Sequence, residues 1–158
     1  MTELCSGETA PRFTLTDPSG HQVSLEDFAG SKVILYAYPA ALTPGCTVEA
    51  IDFSAALPEF AAAGYTVLGI SPDEPETLAL FVERHNLTVT LLADPGRHTL
   101  IAYGAWGERE LWGKVITGVI RSTFVIEVNA DGEGVIVEAE YRVRPTGHVA
   151  RLRQALGV

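Results

Sequence analysis

An apolar run, a proline-and-glycine turn and a helical pattern follow one another from residue 33 onward, and this succession constrains the fold more than any other feature of the chain. Val33-Ile34-Leu35-Tyr36-Ala37-Tyr38 is continuous and apolar, as expected of a strand covered on both faces. Pro39-Ala40-Ala41-Leu42-Thr43-Pro44-Gly45 interrupts it, and Cys46 opens a helix expected to run through Glu49, Ile51 and Phe53. Tyr65-Thr66-Val67-Leu68-Gly69-Ile70 then repeats the buried-strand pattern, completing a βαβ unit. A thiol at the head of a helix meets unpaired backbone N–H groups and the positive end of the helix dipole, and both favour the nucleophilic thiolate. The competing reading is a cysteine serving as a small buried hydrophobe. Cys5, in the first few residues, has no comparable context.

The same strand–helix alternation continues outward. Phe13-Thr14-Leu15-Thr16 and Gln22-Val23-Ser24-Leu25, joined by Asp17-Pro18-Ser19-Gly20, predict an N-terminal hairpin. Pro58 is expected to end or kink the Cys46 helix, or to sit near the start of a second one ending at Gly64. Asp73, with Glu76 three residues on, is the candidate cap of a helix whose Leu78, Phe81, Val82 and His85 share a face. A short strand over Val89–Leu92 and a short helix over His98–Tyr103 follow. Ser122–Val128 and Gly134–Tyr141 predict two strands around an Asp131-Gly132 turn, and His148–Leu156 predicts a closing helix. The order predicts one α/β domain over residues 1–158, with a mixed central sheet flanked by helices.

Composition narrows the function classes. A net charge of −9 argues against nucleic acid or an anionic membrane surface as a partner. Met1-Thr2-Glu3-Leu4 lacks the basic and apolar regions of a signal peptide, and no apolar stretch approaches the ~18 residues of a membrane span. Two cysteines make neither a disulfide scaffold nor a zinc site, so a reducing cytoplasm is the expected compartment. His21, His85, His98 and His148 are scattered without metal-ligand spacing, His21 reading as a turn residue and His85 as a helix-edge residue. Nothing calls for a metal, flavin, haem or nicotinamide cofactor.

Pro39-x-x-x-Thr43-x-x-Cys46 resembles the active-site signature of the peroxiredoxins, thiol peroxidases with a thioredoxin-like fold. The longer Thr43-Pro44-Gly45-Cys46-Thr47-Val48-Glu49-Ala50 is similar to the bacterioferritin comigratory protein, or Q-type, branch. Gly7–Phe13, Tyr103–Glu108 and Gly118–Ile126 agree with that branch, so the likeness spans nearly the whole chain. The resemblance implies that Cys46 attacks a peroxide oxygen and becomes a sulfenic acid. It implies further that Thr43 directs its hydroxyl at the reacting atoms and that Arg121 supplies a permanent positive charge favouring thiolate. Pro39 would shield the site from water, and Glu49 would orient an arginine by a charged hydrogen bond.

The chain departs from the branch in one respect. Many Q-type enzymes carry a resolving cysteine five residues after the peroxidatic one, where this chain has Ile51; others place it in the next helix, but Leu78–His85 contains none. A one-cysteine peroxidase is therefore expected, reducing hydrogen peroxide and small organic hydroperoxides, with Cys5, in principle from a second subunit, as the alternative resolver. Its reductant would be a thioredoxin-like protein or a low-molecular-weight thiol, and the resemblance points to a monomer or weak homodimer. Two other readings stand beside it: a redox sensor or binding module using Cys46 oxidation with little turnover, and a hydrolytic or acyl-transfer thiol paired with a distant histidine.

Overall fold

The computed structural model describes residues 3–158; Met1 and Thr2, half of the segment read for a leader, lie outside the described residues. Among the described residues, ten strands and four α-helices follow in the order β1 (Thr9–Ala10), β2 (Thr14–Thr16), β3 (Gln22–Ser24), β4 (Lys32–Ala37), α1 (Pro44–Ala62), β5 (Tyr65–Ser71), α2 (Pro75–His85), β6 (Thr90–Ala93), α3 (His98–Ala102), β7 (Trp106–Leu111), β8 (Lys114–Val119), β9 (Ser122–Val128), β10 (Gly134–Tyr141) and α4 (His148–Leu156). Eight strands form one mixed sheet in the order β1-β10-β9-β4-β5-β6-β2-β3. At its centre β4, β5 and β6 are parallel, and β9 pairs antiparallel with β4, placing Ser122 opposite Ala37.

Alternation along the central strands divides the core between the two sheet faces. Ile34, Tyr36, Val67, Leu91 and Val125 point to one face, where Phe53 and Phe60 of α1, Phe81 of α2 and Val149 and Leu152 of α4 cover them. Leu35, Leu68, Leu92, Phe124 and Ile126 point to the other, under Leu100 of α3, Phe13 and Tyr103. Helices thus cover both faces, and Cys46 belongs to the first. Among the described residues no helix is long and apolar enough to cross a membrane.

Three expectations need correction. Pro58 neither ends nor starts a helix, because α1 continues through it to Ala62. A proline removes the N–H that would bond the carbonyl four residues back, here Ser54. The Thr88 hydroxyl approaches that freed carbonyl at 3.4 Å, while Ser54 Oγ accepts the Thr88 and Val89 amides, each at 3.1 Å. The freed acceptor is thus supplied from the loop before β6.

Asp73 does not cap α2; Glu74 occupies that position, with Pro75 as the first helical residue. The Asp73 carboxylate instead accepts hydrogen bonds from the Ala41 amide at 2.7 Å and from Ser71 Oγ at 2.8 Å. Finally, the sequence pattern predicts no strands between α3 and β9, where β7 and β8 form a separate two-stranded antiparallel sheet. The connection Trp112-Gly113 has positive φ at both residues (51° and 78°), the backbone that matches the twist of a two-residue hairpin loop.

Candidate active site

The site lies where the carboxyl end of β4 meets the start of α1, beside the first residues of β9. After β4 the chain runs through Tyr38 and the half-buried Pro39 into a turn held from outside by the Asp73–Ala41 bond. Leu42 sits at φ 66°, a left-handed conformation that costs a branched side chain on the order of 1 kcal/mol. That bend delivers Thr43 as the N-cap and Pro44 as the first residue of α1, where a missing N–H is no loss.

Cys46 is the third helical residue and only 1% exposed. The first backbone bond across this end of the helix runs from the Thr47 amide to the Thr43 carbonyl. Gly45 and Cys46 therefore lie in the turn whose amides have no helical acceptor, beside the thiol. Gly45 lies under a tight contact: a Cβ there would stand 3.1 Å from Pro145 Cγ and 3.5 Å from Arg121 Nη2. Its absence lets both side chains close over the head of α1.

Arg121 immediately precedes β9, and its guanidinium forks between two partners. Nη2 donates to Cys46 Sγ at 3.3 Å, and Nη1 donates to Glu49 Oε1 at 2.6 Å. Burial opposes the charge on Arg121, but the Glu49 carboxylate and then Cys46 hold its pKa above the ordinary arginine value. Glu49 is fully buried one turn along α1 from Cys46. Its second oxygen accepts from His148 Nδ1 at 2.8 Å, and His148 Nε2 lies 3.0 Å from Thr123 Oγ1. An unbroken line of polar contacts thus runs Cys46–Arg121–Glu49–His148–Thr123. Fully buried Tyr36 and Tyr38 line the neighbouring core.

The structure therefore gathers Cys46, Arg121 and Glu49 into direct contact. Pro39 lies on the connecting turn. The exposed Thr43 sends its hydroxyl proton to the Ala40 carbonyl at 2.7 Å, not to sulfur, leaving its oxygen lone pairs as acceptors. His148 and Thr123 are the residues that sequence reasoning missed. His148 is separated from Glu49 by 99 positions, so no local spacing could show the pair. The one available signal was a polar residue opening an amphipathic helix behind Gly147, whose φ of 74° favours glycine.

A groove of about 710 Å³ opens beside the guanidinium, between β7 and the segment before α4. Ile120, Arg121, Val143 and Pro145 line it, together with Glu108 and Arg109. Cys5 is exposed, and its neighbour Leu4 packs on the sheet face opposite to that of Cys46. Ile51 is 43% exposed, directed away from the core. A sulfur at a helix head, in contact with a fixed guanidinium, is placed for nucleophilic chemistry in which negative charge moves toward an attached oxygen.

The model of the AhpC/TSA family matches residues 6–138. The chain is 54% identical over 157 residues to the "Putative peroxiredoxin Rv2521" of Mycobacterium tuberculosis, covering 99% of this chain and 98% of that protein. It is 44% identical over 133 residues to peroxiredoxin Bcp of Escherichia coli, covering 84% of each. Among solved structures, the bacterioferritin comigratory protein of Xanthomonas campestris superposes with a TM-score of 0.81 at 33% identity, over 92% of this chain and 90% of that one. The fold is that of the thioredoxin-like peroxiredoxins, and the activity is thiol-dependent peroxide reduction. With most of its length matched by the family model and by such relatives, the chain belongs to the AhpC/TSA family of peroxiredoxins.

Proposed function

We propose that Cys46 is the peroxidatic cysteine of a one-cysteine peroxidase for hydrogen peroxide and small organic hydroperoxides. The observation that carries the reading is the 3.3 Å contact of Arg121 Nη2 with a sulfur at the head of α1. The thiolate attacks one peroxide oxygen, an S–O bond forms, and the O–O bond breaks. The leaving alkoxide or hydroxide takes a proton to become alcohol or water, and sulfur is left as a sulfenic acid. Arg121 offsets negative charge on sulfur and on the separating oxygens. The free lone pairs of Thr43 can accept the hydroperoxide O–H, and Pro39 shields the thiolate side of the turn. The X. campestris relative has alkyl peroxide reduction activity, and the groove beside Arg121 gives an alkyl chain a place to lie.

Resolution requires an external thiol. The first thiol condenses with the sulfenic acid to a mixed disulfide and water; a second releases Cys46 and carries away the disulfide. A thioredoxin-like protein, with both thiols on one chain, or two molecules of a low-molecular-weight thiol would serve. Ile51 at the in-helix resolver position, and Cys5 beside a residue packed on the opposite sheet face, support this reading.

Stopped-flow mixing of reduced protein with hydrogen peroxide, followed by Trp fluorescence and by quenched mass spectrometry, tests it. A second-order reaction far faster than free cysteine, absent in Cys46→Ser, is expected. Reaction no faster than free cysteine would overturn it. A protein that reacts fast but stops near one turnover with both types of reductant would instead be a sensor.

A further inference from the structure

We propose that His148 is a positioning residue for the peroxidatic centre: it fixes the Glu49 carboxylate, and through Glu49 holds the Arg121 guanidinium against Cys46 Sγ. The inference rests on the reading of Cys46 and Arg121 above and assigns a role to a group that reading does not use.

The last torsion of a glutamate side chain is broad, so the rotamer alone does not set the plane of its oxygens. One hydrogen bond to Arg121 would leave that plane free to turn. The second, from His148 Nδ1 to Oε2 at 2.8 Å, fixes it, and Glu49 is buried beyond the reach of bulk water as a substitute donor. With Oε1 fixed, the 2.6 Å bond to Nη1 sets where Nη2 lies, and Nη2 is the atom on sulfur. An ångström of misplacement at a reacting centre is enough to cost one to two orders of magnitude in rate.

His148 is itself held on three sides. Gly147 turns the chain into α4, Thr123 Oγ1 meets Nε2 at 3.0 Å, and the ring stands edge-on to Phe53 with centroids 5.6 Å apart at 86°. Because an ionised carboxylate only accepts, Nδ1 must carry a proton toward Glu49. Nε2 meets the Thr123 hydroxyl on the other side, so both ring nitrogens and both Glu49 oxygens have partners. Thr123 lies two residues beyond Arg121 and Phe53 one turn beyond Glu49, so one imidazole ties α1, β9 and α4 together at the site.

A residue that merely docked α4 would lower stability without altering the chemistry of sulfur, and matched variants separate the two roles. Asparagine can place its amide N–H near the position of Nδ1, whereas glutamine reaches the position of Nε2. His148→Asn, His148→Gln and His148→Leu are compared for urea midpoint, for the pH profile of Cys46 alkylation, and for the second-order rate with hydrogen peroxide. The proposal expects His148→Gln and His148→Leu to lose about tenfold in peroxide rate and to need a higher pH for alkylation, with His148→Asn within about twofold of the parent. If His148→Leu fails to fold, the Asn and Gln pair decides the question. Equal peroxide rates and pH profiles in Asn and Gln variants, or losses that follow the urea midpoint alone, would overturn it. If the parent protein itself alkylates like an ordinary thiol, the reading of Cys46 fails instead, a result these profiles reveal separately.

Discussion

Replacing Arg121 by lysine keeps the charge but removes the fork, and the geometry predicts what that costs. Guanidinium Nη1 and Nη2 serve Glu49 at 2.6 Å and Cys46 at 3.3 Å simultaneously. An ammonium is a single point, and the buried carboxylate at hydrogen-bond range draws it away from sulfur. At an effective dielectric of about 20, a thiolate and a cation 3.3 Å apart attract by about 5 kcal/mol. Retreat to about 5.5 Å leaves about 3 kcal/mol, a loss of about 2 kcal/mol or about thirtyfold in peroxide rate. Arg121→Gln, which abolishes the charge, should lose considerably more. The assay is the stopped-flow rate with hydrogen peroxide at fixed pH and ionic strength, with folding checked by circular dichroism. A folded Arg121→Lys protein reacting at the parental rate would show that charge alone suffices and would refute the geometric argument.

Two further outcomes test the scaffold. Ser54→Ala removes the acceptor of two backbone amides, Thr88 and Val89, beside the Pro58 interruption, and should cost about 1–3 kcal/mol in urea unfolding; no loss would mean that those amides find other acceptors. Tyr36, Tyr38 and Tyr103 are all held above the ordinary phenol range, chiefly by burial. Because their folded values exceed the unfolded one, this contribution is intact below about pH 10 and is lost as pH rises further, at about 1.4 kcal/mol per ring per pH unit. Phenolate absorbance from these rings should therefore rise only together with the loss of circular dichroism, and their titration in the folded protein would contradict the burial argument.

The sequence made the βαβ unit legible because Val33–Tyr38 and Tyr65–Ile70 are apolar throughout, as strands covered on both faces must be. The Asp131-Gly132 hairpin and the His148–Leu156 helix were equally plain, since turn chemistry and helical spacing are local signals. The β7–β8 hairpin was not. Its strands are largely exposed, and a tryptophan occupies a left-handed turn position that ordinarily calls for glycine or asparagine. Pro58 and Asp73 misled for a related reason: each was read by its neighbours in sequence, while Thr88 and Ala41 decide what each does. At the site, Cys46 announced itself through its turn and Arg121 and Glu49 through the motif. His148 depends entirely on tertiary pairing, which no short window contains.

The most direct test is the intact mass of the reduced protein after one equivalent of hydrogen peroxide, quenched with and without a sulfenic-acid trap. A one-cysteine centre predicts a gain of about 16 Da confined to Cys46, trapped as sulfenic acid, with Cys5 still alkylatable. A loss of about 2 Da with both thiols blocked would mean that Cys5 resolves Cys46 within one chain, and would contradict the account.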